Sequence, residues 1–176
     1  MPKMDLAAVS IDLHHEISQF LYTEAHMLDK ELLREWFDGM VHPDICYQMV
    51  ITEERFRRDR GNADRREVKP YDDNWAALEL RIRQFETGLQ TMMDPPQRLY
   101  RIISNIRAFH IDEKQKFKVL SYGTASRFRR QYEHEQVVYT REDILVKGDD
   151  GALRLAKRRI ELGQRIVLNK NLLFFL

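Results

Sequence analysis

The second half of the chain, Arg98 to Leu176, constrains the fold most. It holds four runs rich in β-branched and aromatic residues, Arg98–Ile111, Phe117–Tyr132, Val137–Lys147 and Leu153–Leu162, with a short tail, Gln164–Leu176, behind them. Alternate residues of a strand point to opposite faces, so such runs predict strands. They exceed the usual five or six residues, which predicts one large, strongly curved antiparallel sheet. Lys147-Gly148-Asp149-Asp150-Gly151 is a hairpin turn, because Gly supplies the positive φ that tight turns need. In the first run, Ile102, Ser104, Ile106 and Ala108 are expected on one side, with Arg101, Asn105 and Arg107 on the other.

The preceding residues supply the layer that covers this sheet. After a loose arm, residues 1–10, a helix begins at Ile11 with Ile17, Phe20, Leu21, Ala25 and Leu28 at helical spacing. Asp29 is placed as the N-cap of a second helix with Leu32, Leu33, Trp36, Phe37 and Met40 on its buried face, stopped by Gly39 and Pro43. Ile45–Ile51 alternates as a first strand, with Tyr47 and Met49 on one face. The arginine- and acid-rich stretch around residues 52–70 is expected to be an exposed loop. Tyr71-Asp72-Asp73-Asn74 caps a third helix carrying Trp75, Leu78, Ile82, Phe85 and Leu89, and Asp94-Pro95-Pro96 closes the helical half. The expectation is one α+β domain over residues 1–176, with three N-terminal helices on a curved antiparallel sheet.

Composition narrows the function. With a net charge of +1, the chain lacks the basic excess of a general nucleic-acid or acidic-membrane binder. Tyr122, Phe128 and Tyr132 share a strand with Arg127–Arg130, but are expected in the core rather than stacking on bases. Cys46 is the one cysteine, which excludes an internal disulfide and any cysteine-ligated iron–sulfur cluster within this chain, since even a Rieske site needs two. No apolar run approaches the roughly 20 residues of a membrane helix. The N-terminal residues show no secretion pattern, so the cytoplasm is the expected location.

No chemical motif stands out. His14 and His15 point about 100° apart on a helix, and neither His26 nor His42 belongs to a metal-ligand spacing. His110 and His134 fall on the sheet or its turns. Phosphate-loop and nucleophile-elbow patterns are missing. The arginines of 127–130 and 154–159 are expected to pair with Glu133, Glu142, Asp143 and Glu161. The apolar Leu172-Leu173-Phe174-Phe175-Leu176 must be buried in this subunit or against another.

The ordered pieces nevertheless resemble a family. Glu16-Ile17-Ser18-Gln19-Phe20-Leu21-Tyr22-Thr23-Glu24-Ala25 with Leu28-Asp29, then Trp36 and Asp44-Ile45-Cys46-Tyr47, resemble the opening helices and first strand of the small (β) subunit of aromatic-ring-hydroxylating dioxygenases. Asp94-Pro95-Pro96 with Arg101-Ile102-Ile103-Ser104-Asn105 is similar to that family's entry into its large sheet. Arg141-Glu142-Asp143-Ile144-Leu145, Ala156-Lys157-Arg158-Arg159-Ile160 and the closing Asn171-Leu172 with Phe174-Phe175 complete the series, from about Leu13 to Leu176. The resemblance implies a cystatin-like cone. It implies a non-catalytic structural subunit of a multicomponent enzyme that cis-dihydroxylates aromatic hydrocarbons or acids.

In that family the partner large (α) subunit holds the Rieske 2Fe-2S cluster and the mononuclear iron, and three large and three small subunits assemble as α3β3. No cofactor, nucleic acid or membrane is then expected on this chain. The residues expected to serve assembly are Arg101, Asn105, Arg127, Arg141, Asp143, Arg159, Phe174 and Phe175. The alternative is a stand-alone cone-fold isomerase or dehydratase, with His110, Asp29 and Tyr47 as its acid–base candidates.

Overall fold

A computed structural model describes residues 6–52, 67–88, 97–112, 115–163 and 174–176. The elements run α1 (Ile11–Asp29), α2 (Leu33–Met40), β1 (Val41–Thr52), β2 (Glu67–Asp73), α3 (Trp75–Glu86), β3 (Arg98–Asp112), β4 (Lys116–Arg129), β5 (Glu133–Lys147) and β6 (Leu153–Leu162). Asp94-Pro95-Pro96, Glu113-Lys114, Leu89 and residues 164–173 of the tail lie outside the described residues.

One sheet contains all six strands, in the order β2-β1-β6-β5-β4-β3. It is mixed rather than purely antiparallel, because β1 runs parallel to β6 while the other neighbours are antiparallel. β4 and β5 pair over their whole lengths, from Lys116 opposite Val146 to Arg129 opposite Glu133. At the β5–β6 hairpin, Gly148 N–H donates to the Ala152 carbonyl at 2.9 Å and Gly151 takes φ +77°, the turn expected from the sequence. Gly123 on β4 is needed for space, since a Cβ there would lie 2.3 Å from the ring of Tyr139.

The helices lie over one face and close it into a cone. Ser10 caps α1, its side chain accepting from Leu13 N–H, and Asn74 caps α3 in the same way through Ala77 N–H. Ile17, Leu21, Ala25 and Leu28 of α1, Trp36, Phe37 and Met40 of α2, and Leu78 and Ile82 of α3 are buried. They pack with Tyr47 and Met49 of β1 and with the inward residues of β3 to β6 in one hydrophobic core.

Several expectations need correction. Asp29 does not cap α2, which begins after Leu32 without a side-chain cap and leaves Leu32 exposed. The Asp29 carboxylate instead accepts from the backbone N–H of Arg101 and pairs with its guanidinium. Residues 67–70, taken as loop, begin the edge strand β2, which tolerates Pro70 and a polar face because only one of its sides is paired. Residues 6–10 are not loose. Ala8 bridges Phe109, Val9 N–H donates to the Ala108 carbonyl, and His110 N–H donates to that of Ala7. Finally, β3 does not keep one phase. Its pairing shifts between Ser104 and Arg107, where Asn105 takes φ +53°, so Ile102 faces solvent while Ile103 and Ala108 are buried.

Candidate functional site

The interior of the cone is the most densely charged buried region among the described residues. Glu24 lies three residues after Leu21 and four before Leu28, so the apolar stripe of α1 carries its carboxylate inward. Arg141 and Asp143 share the inward phase of β5 with Val137, Tyr139 and Leu145. The β5–β6 register shift opposite Ile144 and Leu145 turns Arg158 inward alongside Leu155. Glu24, Asp143 and Arg158 have side chains with no exposure, and that of Arg141 has 1%.

Their geometry is a closed network. Arg158 grips Asp143 with Nε and Nη2, both at 2.9 Å, and grips Glu24 with Nη1 at 2.9 Å and Nη2 at 2.7 Å. Arg141 Nη1 donates to Glu24 at 3.3 Å and its Nε to Ser121 Oγ at 3.4 Å. The indole N–H of Trp36 donates to Glu24 Oε1 at 3.1 Å. Two carboxylates meet two guanidiniums, so the formal charges cancel. Burial alone would raise the Glu24 pKa, but Arg158 and Arg141 outweigh it and hold the carboxyl below its ordinary value. Burial pushes the other way on Arg158, and Asp143 and Glu24 overcome it to raise that pKa well above the ordinary value. Glu24 and Arg158 are both pushed away from neutrality and keep their charged forms there. That suits a structural clamp rather than proton transfer, which needs a pKa near the working pH.

The three acid–base candidates do not form a site together. Burial raises the pKa of the Tyr47 phenol, which donates to the Leu176 carbonyl at 2.7 Å and accepts from Leu176 N–H at 2.9 Å. Asp29 is paired with Arg101, and His110 is exposed with its ring edge toward Phe117 at 5.5 Å. None hydrogen-bonds another. The isomerase or dehydratase reading is therefore not favoured. His14 Nε2 lies 3.1 Å from the Ile106 carbonyl, a structural contact. Among the described residues, no three His, Cys, Asp or Glu side chains gather as a metal ion requires, and a single cysteine does not suit a Rieske cluster.

Of the eight residues expected to serve assembly, six lie inside the cone. Arg101 pairs with Asp29, Arg127 with Glu135 and Arg141 and Asp143 within the network, while Phe174 and Phe175 are buried beside them. Asn105 and Arg159 lie on the opposite, outer face, where with Arg107, Tyr122, Glu142 and Glu161 they line a shallow cleft of ≈ 290 Å³.

No described helix covers that outer face. Ile102 is 67% exposed, Tyr100 55%, Tyr122 51% and Val138 49%, and cross-strand pairing sets Ile102 beside Thr124 and Thr124 beside Val138. The expectation of Tyr122 and Tyr132 in the core is overturned. Tyr122 has the outward phase of β4, and Tyr132, at 91% exposure, lies in the turn after it. Glu24 and Trp36 are the members of the buried network that spacing alone did not single out as a pair. A carboxylate inside an apolar helical stripe is the signal that marks Glu24.

A family model described as "Ring hydroxylating beta subunit" matches residues 23–169. Among solved structures, a chain of naphthalene 1,2-dioxygenase with indole bound in its active site is 26% identical. The match covers 96% of this chain and 88% of that one with a TM-score of 0.89. The beta subunit of benzoate 1,2-dioxygenase from Burkholderia mallei matches at 19% identity, over 92% and 97% of the two chains, with a TM-score of 0.70. ActVI-ORFA from Streptomyces coelicolor matches at 13% identity, over 88% and 98%, with a TM-score of 0.62. The last two similarities speak to the fold alone.

Proposed function

The chain belongs to the ring-hydroxylating beta-subunit family and is a structural subunit of a dioxygenase; from that premise we propose how it serves the enzyme. It contributes no catalytic residue and acts by holding a large (α) subunit in place. That partner carries the Rieske 2Fe-2S cluster and the mononuclear iron that perform the cis-dihydroxylation of an aromatic hydrocarbon or aromatic acid. The complex is α3β3 and works in the cytoplasm, which the single cysteine favours. Residues 1–176 act as one domain, in which α1, α2 and β4 to β6 share the buried network.

The outer face of the sheet carries this reading. Its exposed apolar side chains sit on neighbouring strands, and such a contiguous patch marks a protein contact surface. Asn105 and Arg159 flank it and supply the polar rim that interfaces use. Arg101, Arg127, Arg141, Asp143, Phe174 and Phe175 serve assembly from inside, by keeping the sheet in one curvature.

Replacing Ile102→Asp and Tyr122→Asp together, in a chain co-expressed with its large subunit, tests the surface. Co-purification should fall at least tenfold while the lone variant keeps the parent melting temperature. Unchanged co-purification would remove the outer face from the assembly contacts.

A further inference from the structure

The outer face of the sheet is chemically divided. Next to the row of Tyr122 and Thr140, which borders the apolar patch, cross-strand pairing builds two charged rows. The first joins Arg107, Leu120, Glu142, Arg159 and Gln48. The second joins Phe109, Lys118, Ile144, Lys157 and Cys46. Four cationic side chains therefore stand in two adjacent rows against the single carboxylate of Glu142. The whole chain carries a net charge of only +1, so the band is a local excess and not a general basicity.

Glu142 is already engaged, 2.9 Å from Lys118 Nζ. Arg107 and Lys157 are exposed, and among the described residues neither has a carboxylate within ion-pair distance. The Arg107 guanidinium lies 5.2 Å from the centre of the Phe109 ring, a cation–π contact that limits its freedom before any partner arrives. An apolar patch bordered by arginine and lysine has the layout of a contact surface with a charged rim. The charge also selects the occupant. Two copies meeting face to face would set one basic band against another, and like charges across an interface repel. The partner that fits must bring carboxylates.

We propose that this band docks an acidic patch of the large subunit, with Arg107 and Lys157 each meeting a partner carboxylate. The inference rests on the outer face being the assembly surface. The apolar patch supplies adhesion there. The band steers the encounter, fixes its orientation and rejects face-to-face pairing of two small subunits.

The test reverses both charges, Arg107→Glu with Lys157→Glu, in the full chain and measures binding to the full-length large subunit across a salt series. Both side chains are exposed, so the variant should keep the parent melting temperature. Parent binding should weaken as salt rises from about 0.1 M to about 1 M, where the screening length shrinks from about 10 Å to about 3 Å. At the lower salt the double reversal should bind about tenfold more weakly, chiefly through a slower association rate, and the gap should close at the higher salt. Equal binding of variant and parent at the lower salt would overturn the proposal. If Ile102→Asp with Tyr122→Asp still abolishes binding in that case, the outer face stands and only the band falls; if neither pair of changes matters, the reading of the outer face falls with it. Self-association of the lone parent chain that the reversal abolishes, with large-subunit binding unchanged, would give the band to a second copy and also overturn the proposal. Should the double reversal not fold, Arg107→Gln with Lys157→Gln removes the same charges, and its salt series decides.

Discussion

Glu24 has two arginines and an indole on its two oxygens and no contact with water. Its replacement by Gln leaves Arg141 and Arg158 facing Asp143 alone, with one buried positive charge unmatched. Removing one partner of a buried pair costs about 3–5 kcal/mol, so urea unfolding of E24Q at neutral pH should show a loss of that size. The pH dependence has a definite sign. The folded-state pKa of Glu24 lies below its ordinary 4.5, so its contribution is fully present above that ordinary value and is lost as pH falls through the folded one. The parent should therefore lose stability on acidification below pH 4.5 more steeply than E24Q. Parallel acid limbs would contradict this. The network was half legible in the sequence. Asp143 and the arginines of 154–159 were expected to pair, and Arg158 with Asp143 does. The third member could not be assigned, because nothing local tells which inward strand position lies opposite a helix residue more than a hundred positions away.

At the scale of elements, β3 shows what alternation can and cannot tell. Its length was legible from Arg98 onward, yet the faces were not, because a bulge reverses the phase at a point that no hydrophobic pattern marks. Asn105 sits there at φ +53°, a conformation that Asn and Gly adopt and β-branched residues resist. N105G should keep the parent melting temperature, whereas N105V should cost about 1–3 kcal/mol in chemical unfolding. Equal stability of the two variants would mean that the bulge relaxes. β2 escaped notice for the opposite reason. Glu67-Val68-Lys69-Pro70-Tyr71 has the polarity of a loop, and only its pairing with β1 makes it a strand. Asp29 misled because a capping residue and a side chain that seals a sheet edge look alike in sequence; its partner, Arg101 N–H, belongs to the edge strand β3.

At the scale of the whole molecule, the two faces of one sheet divide the work. The inner face holds a balanced ion network and the segment 174–176, which lock the cone. The outer face leaves Ile102, Tyr100, Tyr122 and Val138 to solvent. A stable protein–protein contact buries roughly 1,200–2,000 Å² in total, and an uncovered sheet face is the natural place to find it. The family was legible in the ordered motifs, whereas the exposed outer face was not, because Tyr122 looks the same in a core as on a surface until the phase of β4 is known. Native mass spectrometry of this chain co-expressed with its large subunit tests the scaffold account most directly. The account predicts one dominant species with the mass of three large and three small subunits; a lone small subunit that stays monomeric and leaves the large subunit uncomplexed would contradict it.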